Sequence, residues 1–145
     1  MTGKSHRRVV VVGCGRLGAH LASRLSVRGV DVVVVDLHET AFRGLSPEFG
    51  GFRFAGDATE LAVLRKARVE EADTIIVTTR DDNTNMMVAQ VAKQVLGVPQ
   101  ALARVFDPSR EAIYHGLEIE TVCPTLLAAD AAVELLSAQS PKETP

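Results

Sequence analysis

The chain has 145 residues, 46% hydrophobic and 23% charged, enough for one domain with a sizeable core and too few for a dinucleotide domain plus a full catalytic domain. Sixteen basic residues face eighteen acidic ones, a formal net charge of -2, and aromatics make up 4%, so no nucleic-acid partner is expected. The longest apolar runs, 9–12 and 32–35, end at Gly13 and Asp36 and are far too short to enter a bilayer, and the basic start (Lys4, His6, Arg7, Arg8) lacks the apolar stretch of a signal peptide. The expectation is a cytoplasmic protein with reduced thiols, because Cys14 and Cys123 form neither a Cys-x-x-Cys motif nor a zinc site.

Valine-rich runs alternate with stretches of helical period, the pattern of strand and helix units on a sheet covered on both faces. In chain order, strands are expected at 8–13, 31–36, 51–55, 74–79, 100–105 and 119–123, with helices at 16–28, 38–48, 59–67, 82–96, 109–115 and 125–138. The second of these helices contains Gly44 and Pro47, which cost it backbone entropy and a hydrogen-bond donor. The last carries Leu126, Leu127, Ala131, Val133, Leu135 and Leu136 against only Asp130, Glu134 and Ser137, so it is expected to pack on something besides its own sheet. The fold class is therefore α/β, a doubly wound parallel six-stranded sheet of order 3-2-1-4-5-6, with a nucleotide-binding domain over 8–138 between flexible ends at 1–7 and 139–145.

The chemistry gathers at the ends of the expected strands. Gly13, Cys14, Gly15, Arg16, Leu17 and Gly18 form a Gly-x-Gly-x-x-Gly loop that closes a strand and opens a helix. Gly13 permits the turn, Gly15 admits a pyrophosphate to the backbone, and Gly18 lets helix and strand lie close while free amides face the anion. Asp36, 18 residues after Gly18, sits where an acid accepts from ribose hydroxyls, with Leu37 beside it. That carboxylate disfavours a 2'-phosphate unless His38 or Arg43 offsets it. Arg16 opposes the helix dipole, which argues for a phosphate-contacting role. Asp57, Ala58 and Thr59, after the third strand, reach the same crevice and are assigned to the adenine side, although Asp57 or Thr59 serves equally well as a cap for the following helix. Thr78 and Thr79, at the end of the fourth strand, join the cofactor-binding set; Thr79 and Asp82 also have the spacing of a capping box, the preferred role there.

No catalytic constellation emerges. His6, His20, His38 and His115 fall on separate elements, Ser23 and Ser26 lack a base, and Cys14 reads as a small side chain in the loop. Cys14 and Cys123 end strands three spacings apart, about 14 Å, beyond the reach of a disulfide.

With Gly13 to Gly18, Asp36, the run Gly56, Asp57, Ala58, Thr59, the run Asp81, Asp82, Asn83, Thr84, Asn85 and the run Ala103, Arg104, Val105 in this order, the chain resembles the KTN, or RCK N-terminal, domains over about 8–137. These belong to cytoplasmic nucleotide-binding subunits or domains of Trk and Ktr potassium uptake systems and of some potassium channels and antiporters. The resemblance implies Arg16 on phosphates, Asp36 on the ribose, Asp57 to Thr59 on the adenine side, and Arg104 near the phosphates or a neighbouring subunit. It further implies ATP, ADP, NAD or NADH as a regulatory ligand, a homo-oligomer (dimer or larger ring), and a membrane potassium transporter or channel subunit as partner. The protein would lie on the inner face of the membrane through that partner. Thr125 follows Pro124 where metal-binding members carry an acid, so no metal ligand is assigned. Most family regulators continue into an RCK C-terminal domain, so the chain is expected to be a solitary KTN protein or a fragment. The expected function is a potassium-transport regulator without enzymatic activity; the alternative is the cofactor-binding domain of an NAD-dependent oxidoreductase, which would lack room for a substrate domain.

Overall fold

The computed structural model describes residues 7–139. Of the loose ends expected at 1–7 and 139–145, residues 1–6 and 140–145 lie outside the described residues, whereas Arg7 donates from Nη2 to Thr74 Oγ1 (3.4 Å) and Gln100 Oε1 (3.3 Å).

Six strands, β1 (Arg8–Val12), β2 (Asp31–Asp36), β3 (Phe52–Ala55), β4 (Thr74–Val77), β5 (Gln100–Arg104) and β6 (Glu120–Val122), form one all-parallel sheet in the order β3-β2-β1-β4-β5-β6. The doubly wound α/β fold is thus established. Five α-helices follow in chain order: α1 (Arg16–Val27), α2 (Leu61–Lys66), α3 (Asp82–Gln94), α4 (Glu111–Gly116) and α5 (Pro124–Ser137). Because side chains alternate along a strand, the valine run of β1 feeds both faces. Val9 and Val11 pack with Ala19 and Ala22 of α1 and with Phe42 and Phe49, while Val10 and Val12 pack with Leu64 of α2, Val88 and Ala92 of α3 and Tyr114 of α4.

Two expectations fail on local chemistry. The helix expected over 38–48 is instead a short 3-10 segment, Glu39–Gly44, since Gly44 weakens it and Pro47 cannot continue it. The capping box from Thr79 to Asp82 does not form: Asp81 caps α3, its carboxylate accepting from the amides of Asn83 and Thr84 (both 3.3 Å), and Asp82 turns instead toward the chain after β5.

The helix after β6 does not pack into its own chain's core. None of the residues of α5 is buried, and Leu135 and Leu136 are 70% and 71% exposed, so it adds nothing to the core of its own chain. None of the described helices is long and apolar enough to cross a membrane.

Candidate functional site

The chain leaves β1 toward β2 on one side, and β4 lies on the other, which opens a crevice at the carboxyl ends of these strands. A cleft of about 1050 Å³ occupies it. A smaller cavity of about 260 Å³ lies at the opposite, amino ends of β1 to β3, between Arg8, Asp31, Phe52 and Lys66, and includes no part of the glycine loop.

Each loop glycine has a distinct physical task. Gly13 has φ +96°, a backbone conformation that a side chain would strain, and its amide donates to Val35 O (2.8 Å). A Cβ on Gly18 would sit 1.8 Å from the Gly13 carbonyl oxygen, so only glycine allows α1 to approach β1 this closely. A Cβ on Gly15 would meet nothing within 4 Å: it faces open cleft.

The two long helices that start at the cleft differ in one respect. The first turn of α3 is closed by Asp81, whereas Gly15, the N-cap of α1, supplies no side-chain cap, so the amides of that turn stay available to an anion at the positive end of the helix. Arg16, the first residue of α1, is exposed at the rim and has no ion-pair partner among the described residues.

Opposite the loop, Asp36 ends β2. Its Oδ2 accepts from the Cys14 amide and its Oδ1 from the His38 amide (both 2.8 Å), which fixes the carboxylate against the loop. Each oxygen retains a further lone pair for a hydroxyl donor. Cys14 is buried beneath the loop, and burial, followed by the neighbouring charge of Asp36, pushes its thiol up to about 11. The sulfur is therefore neutral near pH 7, and the loop carries no anion of its own.

At the β3 side, Asp57 accepts from the amide (2.9 Å) and hydroxyl (2.6 Å) of Thr59, bonds that hold its carboxyl below the usual range. Neither residue caps α2, whose N-cap is Glu60 without a side-chain bond. At the other side, the buried Thr78 hydroxyl lies 3.1 and 3.0 Å from the Val12 and Gly13 carbonyls and ties β4 to the loop. Arg104 donates from Nη2 to the carbonyls of Thr78 (2.7 Å) and Thr79 (2.9 Å), and its guanidinium lies over the Phe106 ring, 4.5 Å from the centroid. Its buried Nε has no partner among the described residues, and burial lowers its pKa against the raising effect of Asp82.

Of the residues singled out in the sequence, Gly13, Cys14, Gly15, Arg16, Asp36, Leu37, Asp57, Ala58, Thr59, Thr78, Thr79 and Arg104 line this one cleft. Leu17 and Gly18 do not; Leu17 is half-buried and Gly18 is packed against Gly13. Sequence reasoning missed Arg80, Asp81, Thr84 and Phe106 as lining residues. The signal was present, because residues just beyond the carboxyl ends of the strands face the crevice in a doubly wound sheet.

The sequence profile of the TrkA-N domain matches residues 9–125. The Trk system potassium uptake protein TrkA of Streptomyces coelicolor is 39% identical over 122 residues, an alignment covering 84% of this chain and 55% of that protein, so the chain spans little more than half of that relative. Among solved structures, the TrkA-N domain of the inner membrane protein ybaL from Escherichia coli superposes with a TM-score of 0.80 at 21% identity, covering 92% of this chain and 99% of that one. GsuK bound to ADP gives a TM-score of 0.78 at 25% identity, covering 92% of this chain and 35% of that one. Sequence profile, strand order and loop geometry agree, and the chain belongs to the TrkA-N domain family.

Proposed function

We propose that the chain is a cytoplasmic, nucleotide-binding regulatory subunit or domain of a potassium transport system, in which ATP, ADP, NAD or NADH occupies the cleft and biases a membrane partner. The observation that carries this reading is the uncapped start of α1, open above Gly15 and facing the carboxylate of Asp36 across the cleft. Phosphates fit the free amides and Arg16, ribose hydroxyls fit Asp36, and the adenine side falls to Asp57, Ala58 and Thr59. The relatives point the same way: one is named a potassium uptake protein, and GsuK was solved with ADP.

Regulation fits better than catalysis, because the cleft gathers groups suited to phosphates and hydroxyls, and among the described residues none of its nucleophiles is paired to a histidine base. A regulatory nucleotide needs a second arrangement to favour, and the apolar α5, none of whose residues is buried, supplies a surface for a homo-oligomer. Isothermal titration calorimetry tests the site: at least one of ATP, ADP, NAD and NADH binds, and Gly15→Val abolishes binding while circular dichroism is unchanged. Failure of all four at millimolar concentration, or binding by Gly15→Val equal to wild type, refutes it. Light scattering tests the assembly: a mass of twice 15.5 kDa or more is expected, and a monomer with and without nucleotide would leave the relay without a mechanism.

A further inference from the structure

Asn85 is fully buried in the first turns of α3 and does not line the cleft. Its amide is nevertheless saturated. Oδ1 accepts from the Thr79 amide (2.9 Å) and the Thr79 hydroxyl (2.5 Å), while Nδ2 donates to the carbonyls of Thr79 and Arg104 (both 3.0 Å). Two donors and two acceptor positions are all that the side chain has. The network also dictates which atom is which, since a reversed amide would set N–H against N–H and oxygen against two carbonyls.

The bonded residues both line the cleft, and both lie where the sheet runs out. Regular pairing of β4 ends at Val77 and that of β5 at Arg104, so the Thr79 peptide has no strand partner. Its N–H is held by Asn85, and its C=O by Asn85 together with Arg104 Nη2. The peptide that Asn85 orients is therefore the support on which the Arg104 guanidinium rests.

We propose that Asn85 is a positioning residue: from behind the wall it fixes the Thr79 peptide and, through that peptide, the Arg104 guanidinium, and so sets the affinity of the cleft for a nucleotide it never touches. This rests on the nucleotide reading above. An asparagine that merely fills buried space would affect folding alone.

A double-mutant cycle on the full chain separates the two, with affinity read by calorimetry for whichever of ADP and NAD binds wild type more tightly. Asn85→Asp keeps the acceptor and loses both donors, and is expected to weaken binding about tenfold in the wild-type background. In an Arg104→Met background the same change is expected to weaken it less than about threefold, because the group it positions is gone. The fall in melting temperature caused by Asn85→Asp should be similar in both backgrounds. Simple repulsion of phosphates by a new carboxylate would instead give equal affinity losses in both, and that result, or no loss in either, overturns the inference while leaving nucleotide binding standing. A wild type that binds neither nucleotide overturns the proposed function and this inference with it. Should Asn85→Asp fail to fold, hydrogen exchange on the wild type decides: the Thr79 amide is expected to be strongly protected without nucleotide, and exchange at the rate of an open loop overturns the proposal.

Discussion

The two halves of the cleft are built from different materials. On the β1 to β3 side, glycines, backbone amides and the carboxylates of Asp36 and Asp57 make most of the surface, and the contacts follow from residue types at short spacing. On the β4 to β5 side, every element is held by a side chain from elsewhere. Asn85 and Arg104 lock the Thr79 peptide, Asp82 accepts from the Phe106 (2.8 Å) and Asp107 (3.2 Å) amides, Tyr114 donates to the Asp82 carbonyl (2.6 Å), and Arg110 donates to Asn83 (2.7 Å). A backbone-built wall is rigid because the chain has no room to move; a side-chain-built wall is rigid only while its bonds are satisfied. The first should break through sterics, the second through lost hydrogen bonds.

The largest expected effect tests the steric half. In Gly18→Ala the added Cβ would lie 1.8 Å from the Gly13 oxygen and 2.7 Å from Thr78 Oγ1, and the obstacle is backbone rather than a flexible side-chain end. The helix must move off β1, at a cost of about 3 kcal/mol, the upper end for overpacking a core. Urea unfolding monitored by circular dichroism measures it. Gly15→Ala, only three residues away, meets nothing and should cost less than about 1 kcal/mol. Equal costs at the two positions would mean that the approach of α1 to β1 is not the constraint described here.

A smaller loss is expected from the side-chain half. Tyr114 is fully buried, and its hydroxyl has one bond among the described residues, to the Asp82 carbonyl. Tyr114→Phe keeps the ring and deletes that bond, at a cost of about 1 kcal/mol by the same urea measurement. Phe106 should also loosen, because the bond braces the start of α3 on which the Phe106 amide rests. An unchanged midpoint would show that the far wall does not depend on these bonds.

That division also explains what the sequence reveals. The six-strand order, the glycine loop and Asp36 were readable because alternating burial, strand-to-helix switching and glycine spacing are local patterns. The 3-10 segment at Glu39–Gly44 was missed because periodicity weighs apolar positions, whereas Gly44 and Pro47 decided the outcome. The cap on α3 moved from Thr79 to Asp81 because Thr79 is taken by Asn85, and Asp82 by the chain beyond β5. Those partners lie 6 and 24 residues from the residues they engage, and no local pattern announces the longer one. Arg104 was assigned to the cleft, but its anchoring on two carbonyls of β4's extension is visible only in three dimensions.

The smallest expected effect is one of reactivity, and it concerns the steric half. Cys14 sits where two influences compete: a helix N-terminus lowers a thiol pKa, and burial raises it. Burial wins, Asp36 adds to it, Arg53 opposes weakly, and the thiol is pushed up to about 11. Between its ordinary value of 9.0 and about 11 the unfolded chain releases this proton while the folded one keeps it, so the contribution to stability falls as pH rises through that window and is constant below it. At pH 8 only roughly a thousandth of the folded thiol is thiolate. Alkylation by iodoacetamide, followed peptide by peptide in a mass spectrometer, should therefore be far slower for Cys14 than for a free cysteine and rise until about pH 11. Asp36→Asn removes the second cause and should lower that midpoint. A midpoint near the ordinary value would mean that the helix end offsets burial; the loop would then carry a negative charge under mildly alkaline conditions, just where the proposed function needs it to receive phosphate.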